Sequence, residues 1–231
     1  MLHVTAPFPA KAATQIAASR RLPWVLAFAG TTTFVAETRS EEEAMSGARD
    51  DLSAKKRRLL EIIKQKSFMR GTFTLASGAV SNYYIDMKPT TFDPEGAALL
   101  SEIICAMLAG DADVEAIGGL ELGAVPIVAA VAARSWSQRP IAGFVVRKER
   151  KGHGTDQKID GNFRPGSTVA LIEDVTTKGG SVLQAVTAVR EQGARVKKII
   201  TILDRGEGAE ARLRAEGIDL VPIFRAEDLL S

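Results

Sequence analysis

The sequence predicts an α/β protein with a mainly parallel central sheet flanked by helices. From residue 116 onward, short apolar runs rich in Val and Ile alternate with helical patterns, which is typical of βαβ units. The 30 basic and 28 acidic residues nearly cancel, so net charge gives no reason to expect nucleic-acid or membrane binding. One cysteine and two histidines exclude a disulfide framework and a His-rich metal cluster.

Residues 1–44 differ in composition from the rest of the chain. No Asp or Glu occurs before Glu37, and the only Lys and Arg residues there are Lys11, Arg20 and Arg21. Three interpretations remain open: a poorly ordered extension, an organelle transit peptide, or a start codon placed upstream of the true start at Met45. All three predict an N-terminal extension over 1–44 and a working domain over 45–231. No apolar run approaches the roughly 20 residues that span a bilayer, so no membrane segment is expected.

Hydrophobic spacing and turn residues predict the elements in order. A short amphipathic helix is expected first, then two strands around Ser77-Gly78, then a helix that begins at Pro94 with Asp93 as its cap. The predicted helices are 52–66, 94–108, 126–133, 181–192 and 209–216. The predicted strands are 73–75, 83–85, 116–119, 141–146, 168–172, 196–203 and 220–224.

The strongest chemical signal is a strand, a loop and a helix over residues 168–192. The strand ends at Glu173 and Asp174, and a loop rich in Gly, Thr and Ser leads into the helix. Backbone N–H groups at a helix N-terminus bind phosphate, whereas paired carboxylates hold hydroxyl groups or a divalent cation. A sugar phosphate meets both requirements, although an ordinary βα turn with polar caps is the simpler alternative. The loop residues are Val175, Thr176, Thr177, Lys178, Gly179, Gly180 and Ser181.

A polar stretch without periodicity covers residues 147–165. It opens with the cationic run Arg147-Lys148-Glu149-Arg150-Lys151-Gly152-His153-Gly154. Such a run is often a solvated loop, but a loop this long inside one domain is usually a lid or a disordered segment.

Residues 171–181 resemble the binding motif for 5-phospho-α-ribosyl 1-pyrophosphate (PRPP) in type I phosphoribosyltransferases. Residues 147–154 resemble the mobile catalytic loop R-K-E-x-K-x-H-G of orotate phosphoribosyltransferases. Residues 73–78, 81–86 and 203–205 are similar to other segments of the same family. The resemblance runs from about residue 52 to the C-terminus. The sequence departs from the family pattern at Ala76 and Leu122-Gly123, where some members carry substrate-contacting lysines, and at Lys178, where Thr or Ala is common.

This resemblance implies a type I phosphoribosyltransferase fold with a small N-terminal hood region. It implies that Glu173 and Asp174 hold the ribose hydroxyls, that residues 175–181 surround the 5′-phosphate, and that Arg205 with Thr177 orients orotate. The catalytic residues it implies, which also bind PRPP, are Arg147, Lys148, Lys151 and His153.

The resemblance also implies Mg²⁺ bound mainly through PRPP, with no direct protein ligand assigned. It implies a homodimer whose catalytic loop reaches across the interface, PRPP and orotate as substrates, and no nucleic-acid or membrane partner. A cytoplasmic location is expected, or an organelle if residues 1–44 are a transit peptide. Two alternatives are a phosphoribosyltransferase for another base and a non-catalytic PRPP-sensing regulator.

Overall fold

Six strands form the central sheet in the part of the chain that the computed structural model describes, which is residues 41–74, 78, 80–149 and 158–231. The helices there are α1 (Glu41–Lys66), α2 (Lys88–Thr91), α3 (Pro94–Met107), α4 (Ala124–Ser135), α5 (Gly180–Arg190), α6 (Ala209–Ala215) and α7 (Ala226–Leu230). The strands are β1 (Phe68–Thr74), β2 (Val80–Ile85), β3 (Ala116–Leu120), β4 (Ala142–Val146), β5 (Ile159–Gly161), β6 (Thr168–Thr176), β7 (Arg195–Asp204) and β8 (Leu220–Arg225).

The sheet has the order β5-β4-β3-β6-β7-β8, and every pair is parallel except β4 with β5. The predicted fold class is therefore confirmed. Strand order reverses between β3 and β6, and ligands of such sheets bind beyond the carboxyl ends of the strands at this reversal. The fold thus directs attention to the ends of β3 and β6.

Side chains from both faces of β6 are buried, which explains its continuous apolar sequence. Ala170 and Ile172 pack into a core with α1, α3 and α4, whereas Val169 and Leu171 pack into a second core with α5 and α6. Helices therefore cover both faces of the sheet. In the described residues, no helix is long and apolar enough to cross a membrane.

A separate antiparallel hairpin is formed by β1 and β2, which pair from Phe68↔Ile85 to Thr74↔Val80. It shares no strand with the six-stranded sheet. The two predicted strands are thus confirmed and longer than expected, whereas Leu75 and Ser77 lie outside the described residues.

Several element boundaries differ from the predictions. Helix α1 begins at Glu41 rather than near Leu52, and the boundary at residue 45 stays a prediction. Strand β6 does not stop before the acidic pair, because β7 pairs with it as far as Thr176↔Asp204. The cap prediction is confirmed, since the Asp93 carboxylate accepts a hydrogen bond from the Gly96 N–H at 3.0 Å.

Candidate functional site

The predicted site residues that the structure describes lie at the carboxyl ends of neighbouring strands, together with Glu121. Glu173 and Asp174 lie near the carboxyl end of β6, and Arg205 directly follows β7. Arg147 directly follows β4, and Glu121 directly follows β3. This edge lies at the reversal of strand order, so the fold brings together side chains that are far apart in sequence.

The two carboxyl groups on β6 are poorly solvated. Burial, together with the neighbouring Asp174 charge, raises the pKa of Glu173 to about 8, and the Lys148 ammonium opposes this shift. The Glu173 Oε2 atom is buried without a hydrogen-bond partner among the described residues. A bound hydroxyl group or cation would satisfy this oxygen.

Asp174 is also perturbed, but its surroundings are more mixed. Burial raises its pKa, whereas the Val175 N–H, which donates to Asp174 Oδ1 at 2.8 Å, lowers that pKa, as does the Lys88 ammonium. Lys88 is itself paired with Asp86 at 2.7 Å. The Asp86–Lys88 ion pair thus lies close enough to interact electrostatically with the acidic pair. The sequence analysis did not identify Lys88 as a site residue.

Glycines let β3 and its following turn approach the acids closely. A Cβ atom on Gly119 would lie 2.2 Å from the Ile172 carbonyl oxygen, and one on Gly123 would lie 2.6 Å from the Asp174 carboxyl group. Neither distance is compatible with a side chain. Gly123 was noted in the sequence only as a departure from a lysine-bearing motif, and the only signal for its packing role is its position directly before α4.

The loop after β6 has the backbone geometry of an anion site. Gly179 has a φ of +74° and precedes α5, whose N-terminus carries no side-chain cap. The first N–H groups of a helix without a cap are available to a phosphate, which the helix dipole also favours. A small concavity at this point is lined by Glu173, Val175, Thr176, Thr177, Gly179, Gly180, Ser181 and Val182.

Contacts to the following elements hold this loop in place. The Thr177 carbonyl oxygen accepts from the Ala209 N–H at 3.2 Å, and the Lys178 carbonyl oxygen accepts from Arg212 Nη1 at 3.3 Å. The Lys178 side chain is exposed. Its predicted contact with PRPP stays a prediction.

Thr176 differs from the other loop residues because its side chain is buried. Its hydroxyl donates to Asp204 Oδ1 at 3.0 Å, and its carbonyl oxygen accepts from the Arg205 N–H at 2.9 Å. Thr176 therefore joins the ends of β6 and β7 in this structure. Its predicted contact with PRPP stays untested.

The start of the cationic run is tied to the same edge of the sheet. The Lys148 N–H donates to the Glu121 carboxylate at 2.9 Å, which links the turn after β3 to the segment after β4. The Arg147 guanidinium is paired with Asp160 of β5, so it would have to exchange partners to reach a pyrophosphate group. Lys151 and His153 lie outside the described residues.

Arg205 is largely buried next to the hairpin, with 10% of its side chain exposed. Its guanidinium carbon lies 4.8 Å from the centroid of the Tyr83 ring, and its Nε atom lies 2.9 Å from a carboxylate oxygen of Glu207. A buried guanidinium of this kind fits a planar anion, because its fork of N–H groups matches a carboxylate.

Comparison with known proteins agrees with this geometry. Residues 95–216 match the phosphoribosyl transferase domain family. The orotate phosphoribosyltransferase of Bradyrhizobium sp. (strain ORS 278) is 46% identical over 183 residues, covering 77% of this chain and 98% of the relative. That of Methanocaldococcus jannaschii is 44% identical over 178 residues, covering 77% and 98% respectively.

Solved structures are similar as well. The orotate phosphoribosyltransferase of Mycobacterium tuberculosis in complex with PRPP matches with a TM-score of 0.65 and 33% identity, covering 77% of this chain and 99% of that chain. A phosphoribosyltransferase from Corynebacterium diphtheriae matches with a TM-score of 0.68 and 36% identity, covering 77% and 99% respectively.

Proposed function

Since the chain belongs to the orotate phosphoribosyltransferase family, we propose that it transfers the 5-phosphoribosyl group of PRPP to orotate, giving orotidine 5′-monophosphate and pyrophosphate in pyrimidine (UMP) biosynthesis. The observation that supports this proposal is the arrangement of charged groups at one edge of the sheet. There, a partly buried acidic pair and an uncapped helix N-terminus lie beside a largely buried arginine that directly follows the next strand.

The acidic pair and the loop bind the phosphoribosyl group. Glu173 and Asp174 accept hydrogen bonds from the ribose hydroxyls, since both carboxyl groups are partly buried and Glu173 Oε2 has no partner among the described residues. The N–H groups at the start of α5 and the hydroxyls of Thr177 and Ser181 surround the 5′-phosphate. This arrangement fixes the position of C1, where the bond to pyrophosphate breaks.

The cationic run stabilises the departing pyrophosphate. Breaking the C1–O bond builds negative charge on pyrophosphate, and Arg147, Lys148, Lys151 and His153 offset this charge and exclude water. The Lys148 ammonium already acts on the pKa of Glu173, which supports its assignment to the site. His153 contacts the pyrophosphate or donates a proton to it.

Orotate lies between the hairpin and the end of β7. Arg205 binds its carboxylate and Thr177 helps to orient the ring, so that the reacting ring nitrogen faces C1. This arrangement favours a base that carries a carboxylate, because the guanidinium is largely buried and its fork of N–H groups matches that group. A regulator that only senses PRPP has no need for an arginine at this position.

Magnesium fits the donor set at the acidic pair. Carboxylate oxygens are ligands that Mg²⁺ prefers, and Glu173 Oε2 has no hydrogen-bond partner among the described residues. No group of three or more His, Cys, Asp or Glu side chains in the described residues forms a metal site of its own. Bound mainly through PRPP, the ion would neutralise pyrophosphate charge. The protein's part is to keep Glu173 and Asp174 beside the ribose.

Orotate consumption by purified protein with PRPP and Mg²⁺ tests the proposal. The Lys148→Ala variant should lose turnover, whereas Lys197→Ala, near the opposite end of β7, should retain it. No orotate consumption with PRPP still bound would favour another base or a regulator. No PRPP binding would contradict the assignment of the acidic pair and the loop.

The family resemblance further supports a homodimer in which the loop that starts at Arg147 acts in the partner's site. Mixing Lys148→Ala with Glu173→Gln protein tests this, because a hybrid dimer then holds one intact site and should recover up to about a quarter of wild-type activity. If each loop serves its own subunit, no activity returns.

The cellular location is the cytoplasm in this proposal, with an organelle as the alternative if residues 1–44 are cleaved as a leader. The domain boundary at residue 45 belongs to the same proposal. The intact mass of the protein isolated from its source cells distinguishes these cases.

A further inference from the structure

Tyr83 on β2 lies against the guanidinium of Arg205. The guanidinium carbon is 4.8 Å from the ring centroid, which is within the range of a cation–π interaction. The Tyr83 ring is itself supported by Phe68 on β1, with centroids 5.8 Å apart and an interplanar angle of 38°. The contact therefore joins the hairpin to the end of β7.

The surroundings of Arg205 restrict its orientation from three sides. The guanidinium carbon lies over the Tyr83 ring, and a Glu207 carboxylate oxygen lies 2.9 Å from Nε. The Arg205 N–H donates to the Thr176 carbonyl oxygen at 2.9 Å, which anchors the main chain. The Nε atom is buried and makes no hydrogen bond among the described residues, so it and the two Nη groups can all donate to a ligand.

We infer that Tyr83 is a positioning residue, which fixes the orientation of the Arg205 guanidinium and thereby sets the affinity for a base that carries a carboxylate. The inference rests on the role of Arg205 in the proposed function. A long arginine side chain loses rotamer entropy when it binds a ligand, and an aromatic face that holds it beforehand reduces this loss.

The Tyr83→Leu variant separates this role from a general effect on the fold. It removes the aromatic face, so the KM for orotate should rise about 5- to 30-fold. The KM for PRPP should stay within about twofold, because Tyr83 supports Arg205 rather than the acidic pair. The Tyr83→Phe variant keeps the ring and should restore the wild-type KM for orotate to within about twofold.

The Arg205→Ala background tests whether Tyr83 acts through Arg205. There, adding Tyr83→Leu should change the KM for orotate by no more than about twofold, since the group that it positions is absent. Equal effects of Tyr83→Leu in both backgrounds, or equal losses in the Leu and Phe variants, would overturn the inference. If Tyr83→Leu does not fold, Tyr83→Met removes the ring with an unbranched side chain and gives the same readouts.

Failure of the inference and failure of the proposed function are distinguishable. If the wild-type protein consumes orotate but Arg205→Ala leaves its KM unchanged, the positioning role is overturned while the activity stands. If the wild-type protein binds PRPP but does not consume orotate, the proposed function itself fails, and the inference fails with it.

Discussion

Binding of PRPP to the free enzyme should release a proton from Glu173 at neutral pH. Burial raises the pKa of this carboxyl group to about 8, so the free protein holds it mainly in the neutral form at pH 7. The ribose hydroxyls are hydrogen-bond donors, and they favour the ionised carboxylate as their acceptor. Ligand binding is therefore coupled to ionisation.

The size of the effect follows from the pKa. A group with a pKa near 8 is roughly nine-tenths protonated at pH 7, so about 0.9 proton should leave for each PRPP bound. Below pH 8, ionisation of Glu173 should increase the affinity for PRPP by up to about tenfold for each pH unit. Above pH 8, its contribution levels off.

Titration calorimetry measures the proton directly. The heat of PRPP binding is recorded at pH 7 in buffers of different ionisation enthalpy, and the slope gives the number of protons released. The Glu173→Gln variant is the matched control, because PRPP phosphates release or take up the same protons in both proteins. The difference between the two slopes is the contribution of Glu173.

Equal slopes for wild type and Glu173→Gln would refute the reasoning. That result would mean that Glu173 is already ionised in the free enzyme, or that it stays neutral in the complex. In either case, burial of the carboxyl group would not control PRPP binding.

Three further predictions concern packing and stability. Gly123→Ala should weaken PRPP binding, because its Cβ would lie 2.6 Å from the Asp174 carboxyl group. As a control, the Cβ of Gly110→Ala meets no atom within 4 Å, so this variant should bind PRPP as the wild type does. Equal affinities of the two variants for PRPP would contradict this prediction. In the ligand-free protein, Glu173→Gln should raise the melting temperature relative to wild type, and this difference should grow from pH 5 to pH 8.5. The folded-state pKa of Glu173 is raised from 4.5 to about 8, so the stabilising effect of this group is complete below pH 4.5 and is lost as pH rises through 8. A difference in melting temperature that stays constant with pH would argue against the raised pKa. Leu171→Ala should lower the free energy of unfolding by about 2–5 kcal/mol in urea titrations, since Leu171 is fully buried, and a loss no larger than that of Leu230→Ala, at a half-exposed position, would count against the two-core description.

The sequence predicts most of the central sheet because its strands are apolar and separated by recognisable helices. Leu171 and its neighbours on β6 are buried on both faces, and that burial requires a continuous apolar run. Helix α3 was predicted for a similarly local reason, since Asp93 and Pro94 mark its first turn. The short elements α2, α7 and β5 were missed, because so few residues show no period.

Side-chain partners in the site were not predictable in the same way. The acidic pair and the glycine loop are contiguous in sequence, so their chemistry could be inferred. In contrast, Thr176 meets Asp204 because β6 and β7 end at the same edge, and Tyr83 meets Arg205 because the hairpin packs beside that edge. The extension of β6 past Glu173 is likewise set by pairing with β7, and polar side chains at a strand end give no local signal of such pairing.

The separate hairpin has a consequence for how such an enzyme can change its substrate during evolution. The ribose and phosphate are assigned to β6 and the loop that follows it, whereas the base is assigned to the space between Arg205 and a two-stranded unit that shares no strand with the main sheet. Substitutions in β2 can therefore alter selectivity for the base without changing the register of the six-stranded sheet that carries the phosphoribosyl-binding residues. The fold thus allows base selectivity to change separately from phosphoribosyl binding.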